Sequence, residues 1–179
     1  MRTKILIGMV IVLAGLLFYQ TFFARKDAQR WVKFSSPEGR FEILMPGEPV
    51  SGKVIELQLP NFTARVHPFS ALRPPSFGLM CGYADFPFTP ENTNDVFDRT
   101  RDGSIRGVQG KLITEENLIL GGYSGRRFRS TAHGNSFIDE EMYLVGQRLY
   151  LITVLSKTEN PDKNINKVFD SFRFTPPSQ

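Results

Sequence analysis

The chain has 179 residues, enough for one domain of about 100 to 150 residues with its own core and one short appendage. Its net charge of +4 sits at one end: Arg2, Lys4, Arg25, Lys26 and Arg30 stand against Asp27 alone, which leaves 17 basic and 17 acidic side chains in residues 31–179. A neutral domain argues against nucleic acid as a partner, and a single cysteine, Cys81, excludes a disulfide within the chain.

The first predicted element is the uncharged run ILIGMVIVLAGLLFYQTFFA, residues 5–24. It matches the roughly 20 apolar residues needed to cross a hydrocarbon layer of about 30 Å. A cleaved signal peptide has a shorter apolar region, about 7 to 15 residues, that ends at small residues. Phe22 and Phe23 before Ala24 fit that poorly, so the segment reads as a single-pass membrane anchor whose basic flanks meet lipid headgroups. The very short leading segment is that of a signal anchor and places the following domain outside the cytoplasm. The expected organisation is an anchor at 1–24, a linker at 25–30, a domain at 31–175 and a tail at 176–179.

From Trp31 two extended runs are joined by Ser36-Pro37-Glu38-Gly39, and Pro46 and Pro49 stop the second. VIELQL (54–59) and FTARVHPF (62–69) read as strands around Pro60-Asn61, followed by a Pro-rich loop, ALRPPSFG (71–78), and a strand over LMCGYADF (79–86). After Pro87 the period changes. Val96, Phe97, Ile105 and Val108 suit a helix capped by Thr89 or Asn94, weakened at Gly103 and ended by Gly107 or Gly110.

Four strands follow: KLITEENLIL (111–120), YSGRRFRST (123–131), FIDEEMYLVG (137–146) and RLYLITVLSK (148–157), with turn residues at 133–136 and 146–147. The last strand is apolar on both faces and needs cover on both sides. A helix over 160–172, capped by Asn160 with Pro161 at its first position, supplies part of that cover through Ile165, Val168, Phe169 and Phe172. RFTPP then closes the chain with a short strand. The pattern predicts an α+β fold, a central antiparallel β-sheet flanked by helices, preceded by one transmembrane helix.

The stretch LILGGYSGRRFR (118–129) admits three chemistries. A nucleophile elbow needs G-x-S-x-G at a strand-to-helix turn, and Gly122-Tyr123-Ser124-Gly125-Arg126 misses it by one position and leads into a strand. A phosphate loop needs G-x-x-x-x-G-K-[ST], which does not occur. A turn at Gly121-Gly122 between two strands remains.

Arg127 and Arg129 then share one face of the second strand and Arg126 takes the other. Either they form a solvated face paired with Asp139, Glu140 or Glu141 on the next strand, or Arg126, Arg127 and Arg129 dock an acidic protein partner. Metal chemistry finds little support: His67 and His133 are isolated, and Asp139-Glu140-Glu141 alternate across a strand. Cys81, in FGLMCGYADF, reads as a small apolar packing residue.

The order of these elements, with F-x-x-P-E-G-R-F-E-I-x-x-P (34–46), YADFP (83–87), YLVGQRLYLITV (143–154) and VFDSFRF (168–174), resembles the PsbP-like and Mog1-like superfamily over residues 31–175. The resemblance implies an α/β/α sandwich and a non-enzymatic role, since members include photosystem-associated lumenal proteins, a Ran-binding protein and bacterial envelope proteins. It assigns no functional residue here, and an anchor in place of a transit peptide argues against a photosystem role.

The expectation is a membrane-anchored, non-catalytic interaction domain without cofactor or metal, an assembly or accessory factor of an envelope complex with a protein partner. The alternative is a small-ligand binding domain or a hydrolase in a cleft beside residues 70–78, with Ser124, His133 or Asp139 as its chemistry.

Overall fold

The computed structural model describes residues 30–58, 62–73, 77–157 and 163–176. The segment 1–24, read as an anchor, lies outside them, and no described helix is long and apolar enough to cross a membrane. Eleven strands and two helices follow: β1 (Val32–Ser36), β2 (Phe41–Met45), β3 (Val50–Ser51), β4 (Ile55–Gln58), β5 (Thr63–Arg73), β6 (Phe77–Asp85), α1 (Thr93–Gly107), β7 (Leu112–Leu120), β8 (Tyr123–Ala132), β9 (Ser136–Val145), β10 (Arg148–Ser156), α2 (Lys163–Phe169) and β11 (Arg173–Phe174).

An eight-stranded antiparallel sheet runs β3-β5-β6-β10-β9-β8-β7, with β4 also pairing on β5. Strand β10 is central and its two faces diverge as its apolar pattern requires. Tyr150, Ile152 and Val154 enter one core with Phe41, Ile43, Phe169 and Phe172. Leu149 and Leu151 enter the other with Phe97, Phe128 and Met142. Each such side chain, once fully buried, contributes about 1.5 to 3 kcal/mol.

The expected sandwich of helices on both faces is corrected here. The domain is mostly β, and α1, with 15 residues, lies on one face only. The opposite face is covered by a second sheet, β1-β2-β11, together with the seven-residue α2. β2 pairs with β1 in a local hairpin and with β11 across the length of the domain, and that long-range pairing completes the layer assigned to helix.

Three local expectations also shift. Asn92, neither Thr89 nor Asn94, caps α1, its Oδ1 accepting from Asn94 N–H (3.0 Å) and Asp95 N–H (3.3 Å). Strand β5 continues through Pro68 to Arg73, and β6 begins at Phe77, so most of the expected loop is hairpin. Pro68 is tolerated because its carbonyl points outward, accepting from Gly52 N–H at 2.8 Å. Its ring nitrogen points outward with it, where β3 and β4 leave a gap, and no bond to β6 is lost.

Candidate docking groove at the arginine strand

Gly121 (φ 57) and Gly122 (φ 84) form the two-residue turn from β7 to β8, both in the left-handed region that such hairpins require. Beyond it Gly125 lies opposite Tyr143 of β9, and a Cβ at Gly125 would overlap the Tyr143 ring. The absent side chain lets that ring lie across β8, stacked on Phe172 at 5.7 Å between centroids.

The three arginines divide between the faces as their spacing predicts, but they are not a solvated set. Arg126 is 7% exposed and Arg129 8%. Arg126 turns toward α1, pairing with Asp98, Asn94 Oδ1 (3.0 Å) and Glu115 (3.2 Å) above the Phe97 ring. On the other face Arg129 holds both Asp139 oxygens at 2.8 Å over the Phe137 ring. Burial raises the Asp139 pKa against the opposing pull of Arg129. The pairing of Arg129 with Asp139 and of Arg127 with Glu141 is as the sequence suggests; the burial is not, because Asp139 and Glu141 are buried and Arg129 with them, while the buried Glu140 accepts from Ser104 and Thr153 instead.

Arg127 differs. Its side chain is 33% exposed, while Glu141, which it binds through Nε at 2.7 Å and through Nη2, is 2% exposed. Tyr143 Oη donates to the second Glu141 oxygen at 2.7 Å, Glu116 of β7 lies 3.4 Å from Arg127 Nη1, and the guanidinium rests over Phe169. Burial alone would lower the Arg127 pKa, but Glu141 and Glu116 outweigh it and hold it above the ordinary value. Burial and then the Glu141 charge push the Tyr143 phenol well up. Arg127 is thus a fixed cation at a surface groove of about 370 Å³, whose walls include Leu118, Leu120, Tyr143, Phe169 and Arg173.

Glu141, Tyr143 and Phe169 escaped the sequence reading as site residues. The alternation 139, 141, 143 on one face of β9 was the available signal.

The residues of the hydrolase alternative do not meet. Ser124 is the second residue of β8 and His133 follows its end, about 30 Å apart at the rise of an extended strand. Asp139 is occupied by Arg129. Residues 70–73 and 77–78 of the proposed cleft belong to the β5-β6 hairpin.

Cys81 is buried in apolar surroundings that push its thiol up, and His67 stacks on Tyr83 at 4.5 Å. Among the described residues no group of three or more His, Cys, Asp and Glu side chains is placed to hold a metal ion.

No protein-family model matches this chain, and no curated protein does. Among solved structures it is similar to the solution structure of cyanobacterial PsbP (CyanoP) from Synechocystis sp. PCC 6803, with a TM-score of 0.55 and 15% identity over 84% of this chain and 96% of that one. The fold is PsbP-like. At that identity the likeness concerns architecture, so the arginine strand and the groove of this PsbP-like domain are read from its own residues.

Proposed function

We propose that this chain is a non-catalytic interaction domain, tethered to a membrane through the apolar stretch 5–24 and presented outside the cytoplasm as an accessory component of an envelope complex. The observation that supports this reading best is Arg127 in its groove. A cation held by a buried carboxylate, edged by Leu118 and Leu120, is a preorganised receptor for an acidic, partly apolar segment of another protein. Arg126 and Arg129 support the strand rather than contact the partner, since both are enclosed within their internal pairs whereas Arg127, also paired, keeps a third of its side chain exposed.

The test is photo-crosslinking in native membranes with the full chain, from a reactive residue at Asp170 on the groove wall and, as a control, at Lys53 on the opposite side of the sheet. One protein captured from Asp170 and absent from Lys53, with yield falling as salt is raised, is the expected result. Equal labelling from both positions, or capture insensitive to salt, would overturn the proposal.

A further inference from the structure

The two edges of the large sheet are built differently. One edge is broken into β3, with two residues, and β4, with four, across Pro68, a common way of making an edge unfit for pairing. The other edge is β7, nine residues without proline, and among the described residues no strand lies beyond it. Its one irregularity is a bulge between Leu112 and Thr114, which leaves a regular run over residues 114–120. Ile119 in that run is 81% exposed.

We infer that β7 pairs with β7 of a second copy of this chain, antiparallel about a two-fold axis at Asn117, joining the two sheets into one. The axis follows from the sequence. A two-fold normal to the sheet keeps each face on its own side, so a residue can oppose only one an even number of positions away.

Centring on Asn117 opposes Thr114 with Leu120, Glu115 with Ile119, Glu116 with Leu118 and Asn117 with itself, using the whole regular run. Centring on Glu116 would set two carboxylates face to face and draw the bulge at Ile113 into the ladder. Centring on Leu118 would pair only residues 116–120 within the strand. In the Asn117 register no charge directly opposes its own kind, and the two diagonals across the axis bring Leu118 to Leu118 and Glu116 to Glu116 of the second copy.

The acidic centre of the strand is also prepared for contact. Glu115 is already bound by Arg101 at 2.7 Å and by Arg126 at 3.2 Å, and Glu116 by Arg127 at 3.4 Å. The partner strand therefore meets partly compensated carboxylates, Arg127 being shared between Glu116 and Glu141, and Arg101 and Arg126 among Glu115, Asp98 and Asp102. The same axis leaves both Arg127 grooves on one face of the joined sheet.

The experiment uses the full chain in membranes with single introduced cysteines; Cys81 is buried and does not compete. Asn117→Cys places two thiols opposite each other, so brief oxidation should give a species of twice the 20.3 kDa chain mass, whereas Lys53→Cys should not. Adding Ile119→Asp sets aspartate against Glu115 of the second copy, twice per dimer, and should cut the yield at least tenfold. Adding Ile119→Lys sets an attractive pair there and should leave the yield within about twofold of Asn117→Cys alone.

Because Ile119 projects into solvent, neither change should disturb the fold, which circular dichroism checks. No dimer from Asn117→Cys, equal dimer from Lys53→Cys, or loss with Ile119→Lys as well as Ile119→Asp overturns the inference. So does crosslinking of Asn117→Cys to a different protein.

Discussion

Glu140 sits fully buried beneath α1, accepting from Ser104 Oγ at 3.2 Å and Thr153 Oγ1 at 2.8 Å. Burial raises its pKa from 4.5 to about 7, with the two hydroxyls opposing the shift. The folded protein therefore keeps a proton that the unfolded chain releases near pH 4.5. The stability from this site is complete below that pH, declines as pH rises toward 7 and is level above it. A shift of this size corresponds to roughly 3 kcal/mol. Glu140→Gln should flatten the slope between pH 4.5 and 7, so that the variant is the more stable protein at pH 8. Urea unfolding of both proteins across that range checks it, and parallel curves would refute the assignment. The arginines belong to the same scale: their acidic neighbours follow from strand alternation, whereas their burial depends on α1 and on what packs around β9, which no single strand specifies.

In the β7-β8 hairpin, sequence and structure agree closely, because Gly121-Gly122 dictates the turn and the turn sets the register. Gly125 carries a second, less visible instruction. It is required by the Tyr143 ring one strand away, and its meaning appears only when β8 and β9 are aligned. Gly125→Ala should displace Tyr143 from Glu141 and lower stability by about 1 to 3 kcal/mol, the usual cost of overpacking. In a double-mutant cycle measured by thermal melting, Tyr143→Val should remove the part of that cost due to the ring and leave the part due to the Met142 carbonyl oxygen, which a Cβ would approach to 2.8 Å. An additive cycle would show that the ring is not the obstacle. Strand β5 is the converse case: the sequence reading ends it at Phe69, and pairing with β6 carries it to Arg73, past a Pro68 that the gap between β3 and β4 makes harmless.

Across the whole molecule, the two cores lie on opposite faces of one sheet and are completed by segments far apart in sequence, β1, β2 and α2 on one side and α1 on the other. Every layer of this arrangement comes from residues 31–174, so a chain lacking residues 1–24 should fold alone. Expected are a soluble protein and a single unfolding transition that coincides by circular dichroism and tryptophan fluorescence, Trp31 packing at the rim of the first core. Aggregation, or transitions that separate by probe, would mean that the domain needs the preceding segment.

Most strand positions, the burial of β10 on both faces, the apolar side of α2 and the turn at Gly121-Gly122 were set by the sequence alone, because hydrophobic period and glycine backbone freedom act over a few residues. Only the tertiary structure decided that a small sheet, rather than a helix layer, closes one face, since the pairing of β2 with β11 joins residues more than 120 apart. Tertiary packing likewise decided that Arg126 and Arg129 are enclosed while Arg127 is left at a groove. Burial is a property of what lies above a strand, and that is settled by contacts between elements distant along the chain.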